Sequence, residues 1–197
     1  MANQNKDELL TPEDLLCLVA KILNELKIPY IITGGMAVAV WAKPRFTWDI
    51  DIVIELLPQK LPLLAQKLLA IEKGVYVDQR MMQDALEKKG EFNFLHPHTG
   101  LKVDFWILKD DSFDKERIKR PRRKIINGQS INFISPEDLI LSKLLWYNIS
   151  PSEKQLDDIR SVLRISKKVD IGYIKRWAQK QNTLEIFEDI LQKVQIS

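Results

Sequence analysis

Apolar residues recur along the chain with two different periods, and each period predicts a different kind of element. After the helix-start sequence at 11–14, apolar residues recur every three or four positions over 15–26, which predicts an amphipathic helix. A short β-branched and aromatic run over 28–33 ends at two glycines and predicts a buried strand. Acidic and β-branched residues alternate over 49–54, which predicts a strand with one polar face. The front of the chain therefore mixes helices and strands.

The same reading extends to residue 134 and then changes. Further short runs predict helices over 36–42, 61–71 and 80–89, and strands over 75–77, 92–95, 101–108 and 130–134. From Ser135 onward every pattern is helical, with helix starts at Ser135, Ser150 and Asp170. We therefore predict an α+β fold, in which a mixed β-sheet flanked by helices over 1–134 precedes a C-terminal helical bundle over 135–197.

Composition limits the class of protein. Of the 197 residues, 45% are hydrophobic and 29% are charged, a balance typical of globular proteins. The single cysteine, Cys17, excludes an intramolecular disulfide and a multi-cysteine zinc site. The polar start does not resemble a signal peptide, and the apolar stretch 29–42 is too short to span a bilayer. We expect a cytoplasmic protein without membrane contact, whose oligomeric state the sequence leaves open.

Basic residues are concentrated in one segment of the chain. The net charge is +3, yet residues 115–124, from Lys115 to Lys124, contain seven basic residues and one acid, so the remainder is acidic. This basic segment could bind an RNA or the acidic surface of a protein acceptor. It could equally be a solvated helix or loop. It contains no aromatic residue, so it does not predict recognition of single strands by base stacking.

Three carboxylates are the strongest candidates for chemistry. Asp49 and Asp51 are separated by one residue on a predicted strand, so their side chains point to the same face. Two acids on one face repel each other unless a cation lies between them. Asp104 lies in an apolar run, where an unpaired charge is costly. Gathered on neighbouring strands, the three acids would suit Mg²⁺. The simpler alternative is a solvated face with Asp104 paired to Lys102 or Lys43.

Residues upstream of the acids are suited to binding phosphate. Gly34 and Gly35 lie between a predicted strand and a short helix, where backbone amides and the helix dipole can receive a phosphate group. Arg45 offers a forked donor to phosphate oxygens, and Thr47 offers a hydroxyl, just before the acid pair.

These residues lie in the string GGMAVAVWAKPRFTWDIDIVI, which begins at Gly34. This string resembles the signature of the DNA polymerase β-like nucleotidyltransferase superfamily. That signature is a glycine turn, a helix, an acid–hydrophobic–acid strand and a third acid on a later strand, here Asp104 in KVDFWI. Arg45, Thr47, Asp49 and Asp51 most resemble the small bacterial branch that is grouped with abortive-infection and toxin–antitoxin systems.

The C-terminal half resembles the same branch through SPEDLILSKLLWY and QLDDIRSVL. This part of the resemblance implies that Lys143 contacts phosphate or nucleotide and that Asp158 is an associated polar residue. The resemblance as a whole implies two Mg²⁺ ions held by the three carboxylates and an NTP as substrate. It also implies that Asp104 takes the hydroxyl proton. The residues implied in NTP binding are Gly34, Gly35, Arg45, Thr47 and Lys143.

The resemblance implies an enzyme that transfers a nucleoside monophosphate from an NTP to an RNA (tRNA-like) or protein acceptor, in a toxin–antitoxin or defence system. Two alternatives remain open. One is a catalytically silent nucleotide- or partner-binding module with the same fold. The other is a small-molecule modifier such as an aminoglycoside nucleotidyltransferase. The complete set of three acids favours an enzyme, and the basic segment disfavours a cationic antibiotic as acceptor.

Overall fold

The computed structural model describes residues 10–44 and 47–196. Its helices are α1 (Pro12–Glu25), α2 (Gly34–Trp41), α3 (Leu61–Leu69), α4 (Gln79–Lys88), α5 (Ser112–Arg117), α6 (Pro136–Ile149), α7 (Glu153–Ile165), α8 (Ile171–Lys180) and α9 (Leu184–Ile196), with a short 3-10 helix at Pro58–Lys60. Its strands are β1 (Tyr30–Ile32), β2 (Asp49–Ile54), β3 (Glu91–Leu95), β4 (Lys102–Ile107), β5 (Arg122–Ile126) and β6 (Gln129–Phe133).

The strands form one mixed sheet in the order β3-β4-β2-β1-β6-β5. Strand β2 is parallel to β4, β1 is parallel to β6, and β3 is antiparallel to β4. Strands β5 and β6 are joined by a tight turn in which Asn127 and Gly128 both have positive φ angles, of 46° and 78°. The mixed sheet, its helices and the all-helical C-terminal part confirm the predicted fold class. Among the described residues, no helix is both long and apolar enough to cross a membrane.

Element predictions differ from the structure mainly around the basic segment. Strand β2 has the predicted bounds, whereas the strand predicted over 75–77 is reduced to a single bridge between Tyr76 and Leu95. Helix α5 and strand β5 were not predicted. Strand β5 is an edge strand whose Arg122 and Arg123 are exposed, so it lacks the alternation of apolar and polar residues by which a half-buried strand is recognised.

The described chain packs into two compact units, each assembled from separate stretches. The first contains residues 10–30, 47–108 and 123–131, and the second contains residues 31–44, 109–122 and 132–196. The division at residue 134 into a catalytic and a helical domain stays a prediction.

In the first unit, one face of strands β3, β4 and β2 forms the core. The residues of this face are all buried, namely Ile50, Ile52, Ile54, Phe92, Phe94, Val103, Phe105 and Ile107. The rings of Phe92 and Phe105, which are register partners, stack with centroids 4.8 Å apart. Helix α1 packs against β2, and α4 packs against β3. Because side chains alternate along a strand, the residues between these apolar positions lie on the opposite face.

In the second unit, α6 packs against α2, α7 and α8, and α9 packs against α7 and α8. A buried charged cluster lies between the segment after α5 and the start of α6. Asp138 is fully buried, and its carboxylate accepts hydrogen bonds from Tyr173 Oη and Ser135 Oγ, both at 2.7 Å. Arg120 Nε is 3.6 Å from Asp138 Oδ2, and the Arg120 guanidinium lies 3.9 Å from the centre of the Tyr173 ring. Burial raises the pKa of Asp138 above its ordinary value.

Candidate functional site

The register of β2 and β4 brings the three predicted acids to one face of the first unit. Asp51 is the register partner of Asp104, and Asp49 is the register partner of Lys102. Adjacent strands lie about 4.8 Å apart, so Asp51 and Asp104 are neighbours across the two strands. Asp49 lies two residues from Asp51 on the same face. The three acids therefore lie on one face of neighbouring strands, as predicted, and their role as metal ligands stays a prediction. We call the surface formed by Asp49, Asp51, Lys102 and Asp104 the acid face.

The acid face is accessible, and one of its acids is ion-paired. Asp49 is exposed, while Asp51 and Asp104 are partly buried. Lys102 Nζ lies 2.9 Å from Asp104 Oδ2, which is one of the two pairings that the sequence offered as the simpler alternative. The hydrogen bond to Asp104 raises the pKa of Lys102, and the negative charges of Asp104 and Asp49 add to that effect. Lys102 is therefore a charged ammonium among three carboxylates.

Strand β3 extends this face beyond Asp104. Asn93 is the register partner of Asp104, so Asp51, Asp104 and Asn93 form one row across three strands. In the adjacent row, Leu95 is the register partner of Lys102 and also bridges to Tyr76. Leu95 and Tyr76 are 42% and 54% exposed. Sequence analysis missed Asn93, although its position between two apolar residues in the strand pattern Phe92-Asn93-Phe94 was a signal of a polar face.

The residues before the acid pair are only partly described. Thr47 Oγ1 donates a hydrogen bond to the main-chain oxygen of Asp49, at 3.2 Å, so its hydroxyl bonds to the backbone beside the first acid. The next residue, Trp48, is 59% exposed. Arg45 lies outside the described residues, and its predicted contact with phosphate stays a prediction.

The other predicted nucleotide contacts lie in the second unit. Helix α2 begins at Gly34, whose φ angle of 58° is in the left-handed region that favours glycine, and Gly35 is buried. Lys143 on α6 is almost fully buried, and its Nζ lies 2.8 Å from Asp158 Oδ2 on α7. The two residues that the resemblance associates are thus ion-paired. The assignment of Gly34, Gly35 and Lys143 to a bound nucleotide stays a prediction.

The donor chemistry of the acid face fits Mg²⁺. Its three carboxylates are hard oxygen ligands on adjacent strands, the type that Mg²⁺ prefers. As the side chains stand, residues 10–44 and 47–196 contain no group of three or more His, Cys, Asp or Glu side chains placed to hold a metal ion. One oxygen of Asp104 is bound by Lys102, whose side chain is 40% exposed. A cation bound by Asp104 would therefore lie beside the ammonium of Lys102 or displace it.

Comparisons with known proteins show the family and the fold of this chain. A family model described as "Nucleotidyl transferase of unknown function (DUF2204)" matches residues 12–194. No curated protein matches the chain.

Three solved structures illustrate the similarity in fold. An antigenic nucleotidyltransferase-like protein from Paracoccidioides brasiliensis is 20% identical, with a TM-score of 0.58 over 93% of this chain and 91% of that one. The antibiotic-resistance factor ANT(2'')-Ia, in complex with adenylyl-2''-tobramycin, is 14% identical, with a TM-score of 0.57 over 86% and 96%. The lincosamide antibiotic adenylyltransferase LnuA is 17% identical, with a TM-score of 0.52 over 81% and 100%. At these identities the likeness concerns the fold.

Proposed function

The chain belongs to the family of nucleotidyl transferases whose model it matches over residues 12–194, and we propose that it transfers a nucleoside monophosphate from an NTP to an RNA or protein acceptor with the help of Mg²⁺. The observation that carries this proposal is the register of β2 and β4, in which Asp51 is the partner of Asp104 and Asp49 lies on the same face. The likeness to the small bacterial branch supports a role in a toxin–antitoxin or defence system.

In the proposed reaction, an acceptor hydroxyl attacks the α-phosphorus of the NTP. The bond from the acceptor oxygen to the α-phosphorus forms, the bond to the bridging oxygen of the β-phosphate breaks, and pyrophosphate leaves. Asp104 takes the proton of the acceptor hydroxyl, and Asp49, Asp51 and Asp104 are the residues that would hold Mg²⁺. Bound Mg²⁺ supplies neutralisation of charge on the triphosphate and the leaving group. The resemblance assigns the binding of the NTP itself to Gly34, Gly35, Arg45, Thr47 and Lys143.

The direct test is an assay with each labelled NTP, Mg²⁺ and total RNA. Transfer of label to RNA supports an RNA acceptor, and transfer to protein supports a protein acceptor. A further reaction with tobramycin or lincomycin tests a small-molecule acceptor, because two of the similar folds are antibiotic-modifying enzymes. Failure to transfer label to any acceptor would favour the silent module, an alternative for which the ion pair between Lys102 and Asp104 is the supporting observation.

We expect Mg²⁺ and NTP together to raise the melting temperature of the protein by several degrees. A ligand present at 100 times its dissociation constant stabilises the folded state by about 2.7 kcal/mol, and each kcal/mol corresponds to roughly 2–4 °C in a chain of this size. In Asp51→Asn most of this shift should be lost, because that carboxylate no longer shares the cation. Differential scanning fluorimetry measures both shifts. A full shift retained in Asp51→Asn would place the nucleotide at a site other than the acid face.

The basic segment contributes fewer residues to acceptor binding than its composition suggests. Arg117 Nη2 lies 2.7 Å from Asp114 Oδ1, and Arg120 belongs to the buried charged cluster around Asp138. Arg122 and Arg123 on β5 are exposed. Neither of the two interpretations that the sequence left open, acceptor binding or a solvated segment, describes Arg117 and Arg120, which are partly buried and lie beside acids of the second unit. The proposed contacts with an acceptor are assigned to Arg122 and Arg123.

Replacing Arg122 and Arg123 together with glutamine should weaken binding of a tRNA-sized RNA and flatten its salt dependence. Each lost phosphate contact lowers the slope of log K against log salt by about 0.7–0.9, so two contacts correspond to roughly 1.4–1.8. Filter binding at several salt concentrations measures the slope. The matched control replaces Lys88, which is exposed in α4, and Lys89, which is partly buried directly after it, with glutamine. A slope unchanged in the β5 variant would remove these arginines from the acceptor surface.

A further inference from the structure

Lys102 occupies an unusual position for a basic residue. It lies opposite Asp49 in the register of β2 and β4, and it precedes Asp104 by two residues on the same face of β4. Its Nζ is 2.9 Å from Asp104 Oδ2, at hydrogen-bond distance. A second cation that approaches Asp49 or Asp104 is repelled by this ammonium, so Lys102 affects cation binding at this part of the acid face.

The formal charges of the acid face favour an ammonium beside Asp104. Asp49, Asp51 and Asp104 contribute three negative charges on two adjacent strands, and Lys102 contributes one positive charge. The ion pair with Lys102 thus offsets, at Asp104, part of the repulsion among the carboxylates. A divalent cation at the acid face would provide that compensation instead, and it would compete with the ammonium of Lys102 for the charge of Asp104.

We propose that Lys102 is the resident counter-ion of Asp104 on the acid face, and that it pairs with this carboxylate until a divalent cation replaces its ammonium. This inference rests on the proposed function, because it takes the acid face to be a cation site. Lys102 thereby lowers the affinity of the acid face for a divalent cation that arrives without nucleotide. The side chain of Lys102 is 40% exposed and has a flexible four-carbon stem, so its ammonium can move into solvent without disturbing the core.

The experiment is a titration of the full chain with Mn²⁺ alone, in which unbound Mn²⁺ is measured by electron paramagnetic resonance. We expect Lys102→Met to bind Mn²⁺ about 10-fold more tightly than wild type, which is the factor expected from loss of one competing charge-assisted hydrogen bond. Lys102→Gln should behave in the same way. Lys102→Arg retains the charge and should bind Mn²⁺ no more tightly than wild type.

The matched control is Lys88→Met, which removes an ammonium paired with Asp84 on the surface of α4. Its affinity for Mn²⁺ should equal that of wild type. Circular dichroism at rising temperature verifies that each variant is folded before titration. If Lys102→Arg gains affinity as much as Lys102→Met, the cause is side-chain shape, and the proposal is overturned.

Two further outcomes separate this inference from the proposed function. Equal Mn²⁺ affinity in wild type and Lys102→Met, together with loss of binding in Asp51→Asn, would overturn the role of Lys102 and leave the cation site intact. Absence of Mn²⁺ binding that depends on Asp51, in wild type and in Lys102→Met alike, would overturn both the counter-ion and the metal-dependent reaction.

Discussion

Replacing Asp51 with asparagine is expected to lower the rate of nucleotidyl transfer by a factor on the order of 10³. Asp51 lies between the other two acids, since Asp49 is two residues away on β2 and Asp104 is its register partner on β4. Asparagine has nearly the same size and shape but carries no charge, so it cannot compensate a divalent cation as a carboxylate does. The rate is measured with labelled NTP and the acceptor that the screen identifies.

A matched control separates the loss of charge at the acid face from the general loss of an aspartate. Asp84→Asn removes an exposed carboxylate on α4 that is paired with Lys88, and it should transfer nucleotide at the wild-type rate. The melting temperatures of both variants without ligand report on folding. If Asp51→Asn retains a tenth or more of the wild-type rate, the acid face is not the catalytic centre.

The largest effect on stability is expected from Arg120→Ala. This substitution leaves Asp138 and Glu137, both buried, without the guanidinium that lies 3.6 Å from Asp138 and 4.0 Å from Glu137. Removing one partner of a buried ion pair costs about 3–5 kcal/mol, and we expect about 2–3 kcal/mol because Arg120 is 30% exposed. This corresponds to a fall of roughly 4–12 °C in melting temperature. Urea unfolding measures the change in free energy.

The deficit of Arg120→Ala should depend on pH. Burial already raises the pKa of Asp138, and loss of the Arg120 charge raises that pKa further. Between the ordinary pKa of an unfolded aspartate and this raised pKa, the folded state binds a proton that the unfolded state does not. Stability therefore falls as the pH rises through that window, and the deficit should be smaller at pH 5 than at pH 8.

The control for this prediction is Arg123→Ala, which removes an exposed arginine from the same basic segment. Its free energy of unfolding should stay within about 0.5 kcal/mol of the wild-type value. Equal losses in the two arginine variants would contradict a specific role for the buried cluster. A deficit that is independent of pH would show that Asp138 stays charged after Arg120 is removed.

The sequence alone predicts some residues of the acid face and not others. Alternation along the predicted strand placed Asp49 and Asp51 on one polar face, because the period of a strand is a local property. The neighbourhood of Asp104 could be inferred only from the cost of burying its charge and from the resemblance. Asn93 was missed, because the pairing of β3 with β4 that brings it beside Asp104 depends on register, which is not written in either strand alone.

The basic segment shows that composition does not predict which of its arginines are exposed. Its arginines have similar side chains and lie close together in sequence, yet Arg120 belongs to a buried cluster and Arg123 is exposed. The difference arises from partners on distant parts of the chain, since Asp138 lies in the first turn of α6 and Tyr173 lies on α8. Charge density in the sequence therefore could not distinguish arginines that stabilise the second unit from those available to an acceptor.

The stacked pair of Phe92 and Phe105 has a consequence for how the protein can vary. Phe105 directly follows Asp104 on β4, so a slip of one residue in the pairing of the strands would turn the aromatic ring outward and bury the carboxylate. The aromatic pair thus fixes which side chains of β4 lie on the acid face, although both rings lie on the opposite face of the sheet. Selection for activity should therefore act on these buried phenylalanines as well as on the acids. Substitutions that inactivate the enzyme should occur on both faces of the sheet.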